Sequence, residues 1–137
     1  MFTSYRRGLK SLIIDMPKGD GTRKAPGECN RNRVFRQYKD NARIRGLEFN
    51  LSITIATSLF QGDCFYCGSK PSRIMDQGLP GEGYRYNGID RVDNSIGYIP
   101  DNCVSCCWRC NAMKSNMSKE EFLNQIHLIF SHVHIIS

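Results

Sequence analysis

At 137 residues the chain is one domain with room for a single modest core. Apolar residues make up 40% of it, no run approaches the roughly 18 needed to span a membrane, and Leu12-Ile13-Ile14 before Asp15 is too short for a secretory leader. An intracellular, cytoplasmic protein is therefore expected.

The net charge of +6 is lopsided, with 12 Lys/Arg against 4 Asp/Glu in residues 1–46 and 7 against 9 in residues 47–137. That distribution fits a polyanion-binding arm on a near-neutral body, although a solvated basic surface explains it as well.

In chain order, residues 1–29 mix basic residues with Pro17, Pro26 and several glycines, and read as an irregular basic arm. Residues 30–137 form the remaining domain. Asn30 to Arg45 turns helical: Phe35, Tyr38 and Ala42 recur at spacings of three and four, Arg36, Lys39 and Arg43 share another face, and Gly46 is a stop. Leu47–Leu51 alternates like a short strand, and Ser52 or Thr54 caps a helix reaching about Phe60.

Residues 68–83 read as a loop, Tyr84–Val92 as a strand, Asp93–Gly97 as a turn and Asn102–Ser105 as a second strand. A short helix follows over Trp108–Ser115. Ser118-Lys-Glu-Glu121 is a capping box opening the last helix, about 118–131, with Phe122, Leu123, Ile126, Ile129 and Phe130 on its apolar face.

Seven cysteines in a reducing compartment point to metal ligands or buried thiols, and the odd count argues against a closed disulfide framework. Cys64-x-x-Cys67 and Cys107-x-x-Cys110 lie 39 residues apart. Each pair sets two thiolates on one tight turn, and together they complete a tetrahedral sulfur set suited to one structural Zn²⁺. Cys103-x-x-Cys106 competes for the second pair. Cys107 and Cys110 are preferred because the helix begins there, which leaves Cys29, Cys103 and Cys106 as buried spares.

Between and after the pairs stand Asn87-Gly-Ile-Asp90-Arg91-Val-Asp93, Gly97-Tyr98, Asn102 and Cys107-Trp-Arg-Cys110-Asn111-Ala-Met-Lys114-Ser115-Asn116. Over about residues 60–120 this pattern resembles the zinc-containing HNH (ββα-metal) endonucleases, most closely restriction-enzyme and phage members. The resemblance implies an α+β fold: a small ββα-metal (His-Me finger) domain with a zinc-ribbon-like four-cysteine staple and flanking helices.

It further implies hydrolysis of DNA phosphodiester bonds with Mg²⁺ or Mn²⁺. Asp90 matches the metal-binding acid, Asn111 the second metal ligand, and Asn102 the Asn that fixes the hairpin loop. A hard ion takes such oxygen ligands and keeps sites for phosphate.

Arg91 departs from the family, which commonly has a His general base there. Arginine cannot act as a base, but it can clamp a phosphate. A phenol beside a cation ionises more readily, so Tyr98 is the favoured base, with Tyr84, Tyr86 or metal-bound hydroxide without a protein base as alternatives and hairpin packing an equal reading of Tyr98. His127, His132 and His134 lie in the last helix. Asp93 suits a ligand, an Arg91 partner or a turn, and Lys114 a contact with phosphate or solvent.

Arg36, Lys39 and Arg43 would contact the backbone of double-stranded DNA. No membrane partner is expected, and a homodimer and a phage-encoded source stay open. The alternative function is a non-catalytic zinc-stapled module that binds nucleic acid.

Overall fold

The computed structural model describes Ala25, residues 27–76 and residues 83–136. Apart from Ala25 and Gly27–Cys29, the arm expected over 1–29 lies outside the described residues, and Glu28 and Cys29 already belong to the first helix. The fold is α+β. Helix α1 spans Glu28–Ile44, α2 Ile53–Gln61, β1 Arg73–Met75, β2 Tyr84–Tyr86, β3 Gly88–Arg91, β4 Cys103–Cys106, α3 Trp108–Lys114 and α4 Lys119–Ile136.

Helix α1 buries Val34 and Ala42, with Phe35 and Tyr38 packed partly against the same core. The Tyr38 hydroxyl accepts a hydrogen bond from the Ile89 amide at 3.0 Å, which ties α1 to β3. Helix α2 starts where the Ser52 hydroxyl accepts from the Ile55 amide, filling one of the donors a helix start leaves open. Phe60, fully buried at its end, centres the core against Tyr38, Tyr84 and Tyr86.

The strand expected over Tyr84–Val92 is two strands serving two sheets. β2 pairs antiparallel with β1, inside the stretch expected to be loop, and β3 pairs antiparallel with β4, Asp90 opposite Val104. The break falls at Asn87. Its side-chain amide donates to the carbonyls of Gly62 and Ser69, so this residue ties the chain to the cysteine region instead of continuing a ladder.

Leu47–Leu51 makes only one isolated parallel bridge, Phe49 with Tyr98. Gly97 permits it: a Cβ there would stand 2.5 Å from the Glu48 carbonyl oxygen, closer than any side chain allows.

The capping box forms as expected. The Glu121 amide donates to the Ser118 hydroxyl, and the Ser118 amide donates to the Glu121 carboxylate. Helix α4 then runs five residues past its expected end at 131, to Ile136, because no Gly or Pro interrupts it. Of its expected apolar face only Phe122 is buried, while Leu123, Ile126, Ile129 and Phe130 are exposed. Among the described residues no helix is long and apolar enough to cross a membrane.

Candidate metal centre and polar cleft

The four thiols of Cys64, Cys67, Cys107 and Cys110 lie within 4.8 Å of one another. Cys67 Sγ stands 3.7 Å from Cys107 Sγ, close to the ~3.8 Å edge of a sulfur tetrahedron with 2.3 Å metal–sulfur bonds. The first pair sits on a closed turn, in which the Gly68 amide donates to the Cys64 carbonyl. Gly68 holds φ +74 there, a left-handed conformation that a side chain would strain. A bond from the Phe65 amide to the Ser105 carbonyl fixes this turn to β4.

The second pair opens α3, where Cys107 Sγ accepts from the Cys110 amide. The Ser69 hydroxyl and amide hold the Cys67 thiol down at about 6, so a thiolate, the ligating form, is present at neutral pH. The cluster fits a metal such as zinc.

The competing cysteines stay outside it. Burial pushes the Cys106 thiol far up and Cys103 to about 11, as expected of enclosed, protonated side chains. Cys29, expected to be buried, is exposed on α1.

Beside this cluster, β3, the β3–β4 connection and α3 enclose a polar cavity of about 130 Å³. Its lining includes Asp90, Arg91, Tyr98 and Asn111, four residues singled out from sequence, with Tyr38 of α1 and Arg45 just past the end of that helix. That volume suits a phosphate oxygen or a hydrated ion. Two guanidinium groups face one carboxylate, a balance that favours an anion.

Asp90 is 5% exposed and held on both oxygens. Tyr66 donates its hydroxyl to Oδ2 at 2.8 Å, and Lys114 Nζ stands 3.3 Å from Oδ1. Burial, then the bond to Asp90 and its charge, drive the Tyr66 phenol strongly upward, so it keeps its proton and points it at Asp90. The Asn111 side chain has no hydrogen-bond partner among the described residues and borders the same cavity. One carboxylate and one free amide are the hard oxygen donors that Mg²⁺ or Mn²⁺ accepts, so the residues present also fit such an ion.

Arg91 ties its Nη1 to the carbonyls of Asn94 and Ile96, at 2.8 and 2.9 Å. Its guanidinium lies 5.4 Å from the Tyr98 ring centroid, and among the described residues Nε and Nη2 have no partner. Asn102 stitches the connection together. Its amide donates to the carbonyls of Asp93, Ile96 and Gly97, and its oxygen accepts from the Asp93 amide.

Asp93 closes the turn through the Ser95 hydroxyl and amide, which also lower its carboxyl. The ring of Tyr98 packs on Phe49 and Tyr38. Tyr84 and Tyr86 do not border the cavity, and burial raises both phenols, the opposite of what a base requires. None of the three histidines borders it either.

Lys114 does not meet solvent, one of its two expected partners. It is fully buried, donating also to the Arg91 carbonyl at 3.0 Å, because α3 turns this residue onto β3. Sequence reading missed Tyr66 and Arg45. Of the two aromatics between the ligating cysteines Phe65 is exposed and Tyr66 meets Asp90, so position in the turn did not distinguish them, and nothing local marks Arg45.

Arg36, Lys39 and Arg43 are all exposed, with Arg43 4.0 Å from Asp40. At 3.6 residues per turn they lie about 100–180° around α1 from Tyr38 and Arg45, so the structure does not bring them to the cavity.

No protein-family model matches the chain. It is 37% identical over 89 residues to the uncharacterized protein R423 of Acanthamoeba polyphaga mimivirus, a match that takes in 65% of this chain and 15% of the length of that protein. The fold is similar to that of the rare-cutting HNH restriction endonuclease PacI, with a TM-score of 0.54 and 23% identity over 76% of this chain and 79% of that one. The fold is thus HNH-like, with a four-cysteine metal-binding cluster beside its β3–β4 hairpin and α3.

Proposed function

We propose that this chain is an HNH endonuclease that hydrolyses phosphodiester bonds of double-stranded DNA at the cavity holding Asp90 and Asn111. The observation that supports it is the meeting, in one small polar cavity, of a pre-oriented carboxylate, an unpaired amide and two guanidinium groups. An inert zinc-stapled binder requires no such set.

In this reading residues 30–137 form the nuclease domain, with the basic arm 1–29 preceding it. Zinc at Cys64, Cys67, Cys107 and Cys110 holds the Cys64–Cys67 turn to the start of α3. Asp90 and Asn111 would hold the catalytic divalent ion, which would supply charge to polarise the phosphate and stabilise the leaving oxygen.

Tyr66 and Lys114 keep the Asp90 carboxylate in place. Arg91, through its free Nε and Nη2, and Arg45 bind the non-bridging phosphate oxygens. Tyr98, which borders the cavity, takes the proton of the attacking water. Tyr66 is not, since its hydroxyl proton is already given to Asp90. Asn102 keeps the hairpin loop that presents Arg91, and Arg36, Lys39 and Arg43, on a face of α1 turned from the cavity, contact backbone phosphates away from the cut.

A supercoiled-plasmid assay with Mg²⁺ or Mn²⁺ tests the proposal. Wild-type protein should nick or linearise the plasmid, chelator should stop it, and Asp90→Asn and Asn111→Ala should each lose at least a hundredfold in rate. Cleavage by Asp90→Asn at the wild-type rate would falsify the reading.

A further inference from the structure

Trp108 is the one tryptophan of the chain, and it stands 55% exposed at the start of α3. The guanidinium carbon of Arg109 lies 5.6 Å from its ring centroid, within reach of a cation–π contact. Among the described residues that guanidinium pairs with no carboxylate. Phe65 repeats the arrangement on the other cysteine turn: it is 54% exposed, with Lys119 Nζ 5.9 Å from its ring centroid. A nucleotide satisfies an open aromatic ring and a cation together, the ring by base stacking and the cation by its phosphate.

We propose that Trp108 and Arg109 form a binding site for an unstacked nucleobase and its phosphate, beside the cavity that Asn111 borders. At 3.6 residues per turn, Asn111 lies about 60° around α3 on one side of Trp108, and Arg109 about 100° on the other. Along the helix axis Trp108 and Asn111 are about 4.5 Å apart, and successive bases of one strand rise about 3.4 Å. A strand with a phosphate in the cavity therefore brings a base one or two positions away to Trp108, and the phosphate beyond it to Arg109.

Tryptophan with arginine also anchors protein partners, and it is nearness to the cavity that selects the nucleotide. The site rests on the nucleic-acid reading of that cavity, but stacking needs no cleavage.

The lone tryptophan reports on its own surroundings. Full-length protein without added Mg²⁺ or Mn²⁺, so that nothing is cut, is titrated with a short single-stranded oligodeoxyadenylate while indole emission is read. Stacking should lower the emission saturably, by about twofold or more. An abasic sugar-phosphate chain of the same length keeps the charge but has no bases, and should leave the emission nearly unchanged. Polarisation of a labelled oligodeoxyadenylate should show Trp108→Ala binding about 5- to 150-fold more weakly, the worth of one stacked base. Trp108→Phe keeps a ring and should lose less. Both variants should retain zinc and the wild-type helix signal in circular dichroism, because the side chain is already more than half exposed.

Emission that oligodeoxyadenylate leaves unchanged overturns the proposal, and plasmid cleavage by the same protein would then leave the nuclease reading standing. Quenching without plasmid cleavage does the reverse, keeping the stacking site and removing the nuclease reading. Equal quenching by the abasic chain reduces the site to a phosphate contact and overturns the proposal. Wild-type affinity in Trp108→Ala also overturns it and returns the ring to a protein partner.

Discussion

Lys114 Nζ stands 3.3 Å from Asp90 Oδ1, and both side chains are shut away from solvent, the lysine completely. Removing one partner of a buried ion pair leaves the other charged without compensation, at a cost of about 3–5 kcal/mol. Asp90→Ala should therefore lower stability by about that amount, as read by urea unfolding. Asp90→Asn should cost less, because its amide oxygen still accepts from Lys114. The double variant Asp90→Ala, Lys114→Met should recover much of the loss, and a cycle showing no coupling would contradict the pairing.

Elemental analysis of protein purified without added metal should find one zinc per chain. Structural zinc contributes roughly 10–16 kcal/mol in small peptides, as much as a whole domain's net stability. Cys67→Ser or Cys107→Ser should then lose the metal and the cooperative unfolding transition together. Cys106→Ser, by contrast, should retain zinc, and loss of metal from that variant would disprove the assigned ligand set.

Two tyrosines can be separated by what each meets, since Tyr66 donates to Asp90 and Tyr98 borders the cavity. Tyr98→Phe should reduce cleavage at least a hundredfold with little change in stability or DNA affinity. Tyr66→Phe removes one hydrogen bond to a charged group, worth about 1.5–3 kcal/mol, and should weaken metal dependence more than it slows the saturated rate. The opposite pattern would exchange their roles.

Arg91 serves two sides at once, binding the hairpin carbonyls through Nη1 and facing the cavity with what remains. Lysine can satisfy one side only. Arg91→Lys should lose tenfold or more in cleavage and about 1 kcal/mol in stability while binding metal normally. Unchanged kinetics would exclude a phosphate contact.

If Arg36, Lys39 and Arg43 each neutralise a phosphate, removing all three should flatten the plot of log affinity against log salt. The change expected is about 0.9 per contact, so roughly 2–3 in slope. An unaltered slope would mean that this face of α1, turned away from the cavity, touches no DNA.

What the sequence by itself determined rests on short-range geometry. Cys64-x-x-Cys67 and Cys107-x-x-Cys110 placed the thiol cluster because a tight turn leaves few arrangements for two ligating thiols. Ser118 with Glu121 opened α4, and the periodicity of Tyr38 and Ala42 located α1, because both depend on spacing along one helix.

Tertiary structure decided the rest. Tyr66 reaches Asp90 across 24 residues, and so does Lys114, a lysine whose composition alone suggests solvent. Arg45 comes to the cavity only because α1 is tied to β3 through Tyr38 and Ile89. The strand broke at Asn87 because that side chain had carbonyls to satisfy in another part of the chain. An apolar spacing likewise shows which face of α4 avoids water. Whether the same chain covers that face is set by where the helix leaves the body, and among the described residues of α4 Phe122 is the buried one.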